Sequence, residues 1–97
     1  MRIIAVSTLR HFWDRHRDAE QPLKALYQEA RVADWQTPRE IKAVYRHTSV
    51  LGDNRVVFNI AGNKYRLVVK FNYAFGIGYI RFIGTHAEYD RINAEQV

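Results

Sequence analysis

The apolar residues of this 97-residue chain repeat with a helical period in its first half and with a strand period in its second. Arg2 to Val6 reads as a short strand. Ser7 or Thr8 can then cap a helix in which Leu9, Phe12, Trp13 and His16 fall at i, i+3, i+4 and i+7. Pro22 suits the first turn of a second helix, where Leu23, Leu26, Tyr27 and Ala30 repeat that spacing. Thr37-Pro38-Arg39-Glu40 has the form of a capping box with proline at the first helical position, and predicts a short third helix carrying Ile41, Val44 and Tyr45 on one face.

From Arg55 the period changes to two. Arg55 to Ile60 and Lys64 to Tyr73 are rich in β-branched and aromatic residues and flank Ala61-Gly62-Asn63, which predicts a hairpin with a two-residue loop at Gly62 and Asn63. That loop fixes a register in which Ile60 opposes Tyr65, Asn59 opposes Arg66, Phe58 opposes Leu67 and Arg55 opposes Lys70. Gly78 to Ile83 extends the sheet, with Ile80 and Phe82 on one face and Tyr79, Arg81 and Ile83 on the other. The last signal is Thr85-His86-Ala87-Glu88, whose T-x-x-E spacing starts a short helix at His86. Helices first, strands after and a terminal helix together predict an α+β domain: a small antiparallel sheet with two N-terminal helices packed on one face and a short C-terminal helix.

Length bounds the organisation. Residues 1–97 make one domain that buries roughly 60 to 65% of its unfolded surface, with no linker or repeat. Lysine and arginine exceed aspartate and glutamate by 15 to 10, a formal charge of +5. That charge directs attention to nucleic acid, an anionic surface or an acidic protein as partner. The absence of cysteine excludes disulfides, a thiolate nucleophile and Cys-ligated zinc. The opening apolar run is too short for a signal peptide or a membrane span, so the expected location is the cytoplasm, with no membrane partner. His11, His16 and His47 lack metal-ligand spacing, and Gly76-Ile77-Gly78 lacks the third glycine of a dinucleotide loop, so neither metal nor cofactor is expected.

The helices are expected to cover Phe58, Ile60, Tyr65, Leu67, Val69 and Phe71, leaving Asn59, Lys64, Arg66, Lys70, Asn72, Tyr79 and Arg81 on the open face. Such a face could hold RNA, with Arg66, Lys70 and Arg81 on phosphates and Tyr79 or Tyr73 under a base. It is equally what a solvated sheet surface looks like. His86 stands at the positive end of a helix dipole, which favours a neutral, proton-accepting ring, and Tyr89 and Asp90 share its face at i+3 and i+4. A histidine there can also simply cap or pack, the Tyr89 ring can belong to the core, and Asp90 reads better as a partner for a nearby arginine than as a proton acceptor.

Three strings carry a resemblance: Val56-Val57-Phe58-Asn59-Ile60, Gly62-Asn63-Lys64-Tyr65-Arg66-Leu67-Val68-Val69, and Ile80-Arg81-Phe82-Ile83-Gly84-Thr85-His86-Ala87-Glu88-Tyr89-Asp90. With the Trp35 to Ala43 region, they resemble the HigB family of toxins in the RelE/ParE-like superfamily of type II toxin–antitoxin systems. The resemblance implies a compact α+β fold and a metal-independent messenger-RNA endonuclease acting on translating ribosomes. It also implies neutralisation by a HigA-type antitoxin with a helix-turn-helix domain, so that DNA is met only through the antitoxin.

In that superfamily the RNA 2′-hydroxyl attacks the adjacent phosphorus, leaving a 2′,3′-cyclic phosphate and a free 5′-hydroxyl. The resemblance thereby implies His86 as general base or acid, Tyr89 as its proton-transferring or positioning partner and Arg66 as phosphate clamp. Lys64, Lys70 and Arg81 would add charge, and Asn59 would orient Arg66 or the RNA. Two other readings stand beside it: a ParE-like toxin that inhibits gyrase, and a non-catalytic RNA-binding module.

Overall fold

A computed structural model describes residues Met1–Val97. In chain order the elements are β1 (Arg2–Ile4), α1 (Val6–Arg15), a 3₁₀ turn (Arg17–Ala19), α2 (Glu20–Val32) and α3 (Pro38–Val44), then β2 (Ser49–Val50), β3 (Arg55–Ile60), β4 (Tyr65–Asn72), β5 (Ile77–Thr85) and α4 (His86–Tyr89). One five-stranded sheet runs in the order β1-β5-β4-β3-β2. The protein is α+β, as the period change predicts. No helix is long and apolar enough to cross a membrane.

The sheet is mixed rather than antiparallel, because β1 pairs parallel to β5. After α1 to α3 the chain enters the sheet at its far edge through β2, and the antiparallel pairs β2–β3, β3–β4 and β4–β5 then bring β5 beside β1 running the same way. At the other edge β2 adds two residues against β3, a strand too short to leave a period in the sequence. Helix α1 begins earlier than its capping signal suggests. Ala5 is the residue before it, no side chain caps it, and Ser7 and Thr8 lie within the first turn. Helix α3 has Pro38 at its start, but its capping box is not reciprocal: Thr37 makes no cap bond, and the Glu40 carboxylate accepts the Gln36 N–H at 2.8 Å instead.

The hairpin register is the expected one for every pair from Arg55–Lys70 to Ile60–Tyr65. The loop is longer than two residues: Ala61 and Gly62 take the left-handed conformation, and the Lys64 N–H closes on the Ala61 carbonyl. Lengthening by one residue on each strand leaves the register unchanged.

Beneath the helices, Phe58, Ile60, Tyr65, Leu67, Val69 and Phe71 join Leu9, Phe12, Trp13, Leu23, Leu26 and Ala30 in a 17-residue core. This is the expected division of the sheet. The core is aromatic at its centre, where Trp35, Tyr45, Phe58 and Phe71 meet in edge-to-face pairs.

The outer face departs from the expectation. Val57 and Val68 are 2% and 0% exposed, yet they lie outside that core cluster. Two features explain their burial. A β-bulge at Arg81 shifts β5, so Ile80 pairs with Val69, whereas Phe82 pairs with Val68 and turns to the outer face, opposite to simple alternation. The chain beyond α4 then crosses this face. Helix α4 starts where Thr85 pairs with Tyr65, and Val97 reaches Arg55 and Arg81 near the far end. The intervening residues therefore run over the row Val57–Val68–Phe82.

Candidate active site

The outer face is divided by that crossing chain into two ends. At the near end, Thr85 and Glu88 form the expected capping box. The Thr85 hydroxyl accepts the Glu88 N–H at 3.1 Å, and the Glu88 carboxylate accepts the Thr85 N–H at 2.8 Å. The backbone hydrogen bond that the Glu88 carboxylate receives from Thr85, and then the Thr85 side chain, hold it below its ordinary value of 4.5. A further tie comes from the His86 N–H, which donates to the Lys64 carbonyl at 2.9 Å and fastens α4 to the hairpin turn. Gly84 makes room for this arrangement: a Cβ there would lie 2.6 Å from the Phe82 ring and 3.0 Å from the Glu88 carboxylate.

The His86 side chain is 46% exposed, and its Nδ1 lies 3.0 Å from Asp90 Oδ2. Helix α4 is a single turn, so a macrodipole has little length over which to build. The neighbouring carboxylate, not the helix, sets the ring's environment. Asp90 therefore pairs with His86, correcting its reading as a partner for arginine. Nδ1 is thus the ring nitrogen that faces the carboxylate.

Tyr89 turns toward the sheet, its ring 6.3 Å from Phe82 and 6.0 Å from the Arg66 guanidinium carbon. Arg66 is half-buried. Its Nη2 donates to Asn63 Oδ1 at 2.6 Å and its Nη1 to the Asn63 carbonyl at 3.2 Å. Asn59 stands opposite Arg66 in register but makes no hydrogen bond to it. Asn63, in the hairpin turn, holds the guanidinium, a role that strand pairing alone could not reveal.

Lys64 is not on this face. Its ammonium pairs with Asp18 at 2.5 Å, beside the Tyr65 hydroxyl bound to the same carboxylate. That pairing holds the Asp18 carboxyl low, Lys64 contributing more than Tyr65, and raises the Lys64 ammonium. A residue in a four-residue turn is free of strand alternation, which is why Lys64 leaves the row assigned to it.

The remaining cations occupy the far end. Lys70 is four residues along β4 from Arg66, about 13 Å at the usual strand rise. It pairs with Asp53 at 3.1 Å. The Arg81 Nε donates to the Val97 carbonyl at 3.1 Å. Lys70, Tyr79 and Arg81 line a surface cleft of about 570 Å³ with Asn54, Asn72 and Tyr73. Tyr73 is packed against Phe71, and burial pushes its hydroxyl up to about 12. The eight expected residues thus divide: Arg66 and Tyr89 meet, with Asn59 opposite Arg66 in register and His86 one turn before Tyr89; Lys70, Tyr79 and Arg81 line the cleft; and Lys64 stands apart from both.

Among the other histidines, His16 stacks on Phe12 at 4.3 Å and meets the Tyr65 ring, a packing role. No group of three histidine or carboxylate side chains is placed to hold a metal ion.

No curated protein matches the chain significantly. A family model does match residues 19–92, from the end of the 3₁₀ turn to just past α4, and so includes the hairpin, the Arg66–Tyr89 contact and His86 with Asp90. That match covers most of the sequence, and the chain belongs to the HigB_toxin family, the RelE-like toxic component of a toxin–antitoxin system.

Proposed function

We propose that this toxin is a metal-independent endoribonuclease that cuts messenger RNA, on the translating ribosome in the cytoplasm, by attack of the RNA's own 2′-hydroxyl. The observation that carries the reading is the pairing of His86 with Asp90 at 3.0 Å on a solvent-facing helix start, one turn from Tyr89 and its Arg66 contact. Chemistry of this kind needs a proton acceptor, a proton donor and cations for the charge that builds on the phosphorane.

His86 supplies an imidazole whose tautomer is fixed by Asp90, so Nε2 is free to take or return a proton. Tyr89 supplies a hydroxyl from the same turn, and the two divide the base and acid roles. Arg66, held by Asn63 and backed by the Tyr89 ring, can grip two phosphate oxygens with one planar fork. As base and acid act, the 2′-oxygen bonds to phosphorus, the bond from phosphorus to the 5′-oxygen breaks, and a proton passes to that leaving oxygen. Asn59 contacts the RNA beside Arg66, while Lys70, Tyr79 and Arg81 hold it farther from the cut through phosphate contact and stacking. Lys64 stabilises the turn through Asp18.

Membership in the family implies an antitoxin partner. We infer that it is a HigA-type protein with a helix-turn-helix domain, through which alone the complex meets DNA.

The experiment is to incubate messenger RNA with the toxin in excess EDTA, with and without translating ribosomes, and to map the ends. Defined cuts ending in 2′,3′-cyclic phosphate support the proposal. Gyrase-dependent DNA damage without cuts turns it into a ParE-like toxin, and RNA binding without cuts into a binding module.

A further inference from the structure

The turn between β4 and β5 is tied down on both sides of an aromatic residue. Asn72 Oδ1 accepts the Phe75 N–H at 3.1 Å, Gly76 takes the left-handed conformation at a φ of 65°, and the Gly76 carbonyl accepts the Arg2 N–H at 2.7 Å. Phe75, which this turn carries, is 78% exposed. Of the five phenylalanines it alone meets no other ring: Phe12, Phe58, Phe71 and Phe82 each pair with an aromatic partner. A ring outside the core is thus held in water on an ordered support.

Its surroundings narrow what such a ring can meet. From Lys64 to Ala87 the chain contains four lysines and arginines and no carboxylate. Lys70 and Arg81 line the cleft whose wall continues through Tyr73 and Ala74 to the foot of Phe75, and Tyr79, 37% exposed, presents a second ring in the same cleft. Asp53, from the loop before β3, reaches this cluster through Lys70. Arg2, in register with Ile77 across β5 from Asn72, is exposed. An apolar protein segment needs a contiguous apolar patch, whereas the chain neighbours of Phe75 are Ala74, Gly76 and the polar Asn72. A single flat ring beside cations is instead the pattern that holds single-stranded nucleic acid, the ring stacking on a base while the cations follow the phosphates. Because the turn is already ordered, a base that stacks there costs little further conformational entropy in the protein.

We propose that Phe75 is a stacking platform for a base of single-stranded RNA, next to the phosphate contacts of Lys70 and Arg81. The proposal rests on the reading of RNA as ligand. It adds an aromatic residue beyond the cleft and a base-binding position far from the cut, past the opposite end of β4 from Arg66. Every base has a π-face, so the contact adds affinity rather than sequence preference.

The test is an anisotropy titration of 2′-O-methyl RNA, which 2′-hydroxyl attack cannot cleave, as an intact strand and as a set in which each position in turn is abasic. Phe75→Ala is expected to weaken binding of the intact strand roughly 5- to 100-fold, the range for loss of one base–aromatic stack. The dependence of log affinity on log salt is expected to stay as it is, because no phosphate contact is lost. Phe75→Trp is expected to bind at least as tightly as the native toxin, whereas Phe75→Leu, apolar but without a π-face, is expected to bind like the alanine variant. At one abasic position the native toxin is expected to lose as much as it loses by Phe75→Ala, and the two changes together are expected to cost no more than either alone. Since Phe75 lies outside the core, all three variants are expected to unfold at the native temperature.

Native-like RNA binding by Phe75→Ala overturns the proposal and leaves the ring as a contact for a protein. Native-like binding by Phe75→Leu overturns it too, as do abasic losses that at every position add in full to that of Phe75→Ala. Cutting by the native toxin together with native-like binding by the variants sinks this proposal alone. A native toxin that binds no RNA sinks the reading on which it rests.

Discussion

The two ends of the outer sheet face differ in their cations, Arg66 at one and Arg55, Lys70 and Arg81 at the other, and in what surrounds them. At the near end Arg66 is held by a neutral amide and by the ring of Tyr89, one helical turn from the His86–Asp90 pair. At the far end Arg55 and Lys70 share the Asp53 carboxylate, Arg55 and Arg81 reach the Val97 backbone oxygen, and Tyr73 and Tyr79 line the cleft. Positive charge is common to both ends. In the proposed reading, what separates the centre that cuts from the surface that holds the strand is the imidazole of His86, which stands at the α4 end.

That difference can be broken by substitution. His86→Ala is expected to lower the cleavage rate by about 10² to 10⁴ with RNA affinity and thermal unfolding little changed. Arg66→Ala is expected to cost about 10² to 10³ in single-turnover rate, the loss typical of one donor to a developing oxyanion. Arg66→Lys should recover only part of it, because an ammonium lacks the planar fork.

A smaller effect follows from the cap of α4. Glu88 has a folded value below its ordinary 4.5. Its contribution is therefore complete above that pH and is lost as the pH falls through the depressed folded value. Protection of the Thr85 amide, its exchange relative to the unprotected rate at each pH, should fall over that acid range, and Glu88→Gln, which still accepts the bond but does not titrate, should remove this pH dependence.

Most of the sheet could be read in the chain because alternation and a hairpin register reinforce one another: from Arg55 to Lys70 a slip of one residue would have mixed polar and apolar faces. The bulge at Arg81 could not, since an extra residue in β5 leaves no mark in composition, and it reverses the face of Phe82. Nor could the crossing of residues 91–97, where the scattered Ile92 and Val97 give no period, although it decides which cations share a surface. At the site, the T-x-x-E spacing placed α4 and the i+4 spacing placed Asp90 beside His86, because both are local. The holding of Arg66 by Asn63 and the loss of Lys64 to Asp18 depend on turn geometry and on a helix 46 residues away, and local pattern carries neither.

The division of labour between the two ends is tested most directly by single-turnover cleavage of one RNA over a wide range of toxin concentration, with His86→Ala and Lys70→Ala measured side by side. Lys70→Ala is expected to need more toxin but to reach the native rate at saturation, while His86→Ala stays slow at every concentration. A saturating rate for Lys70→Ala as low as that of His86→Ala, or recovery of His86→Ala at high concentration, would contradict it.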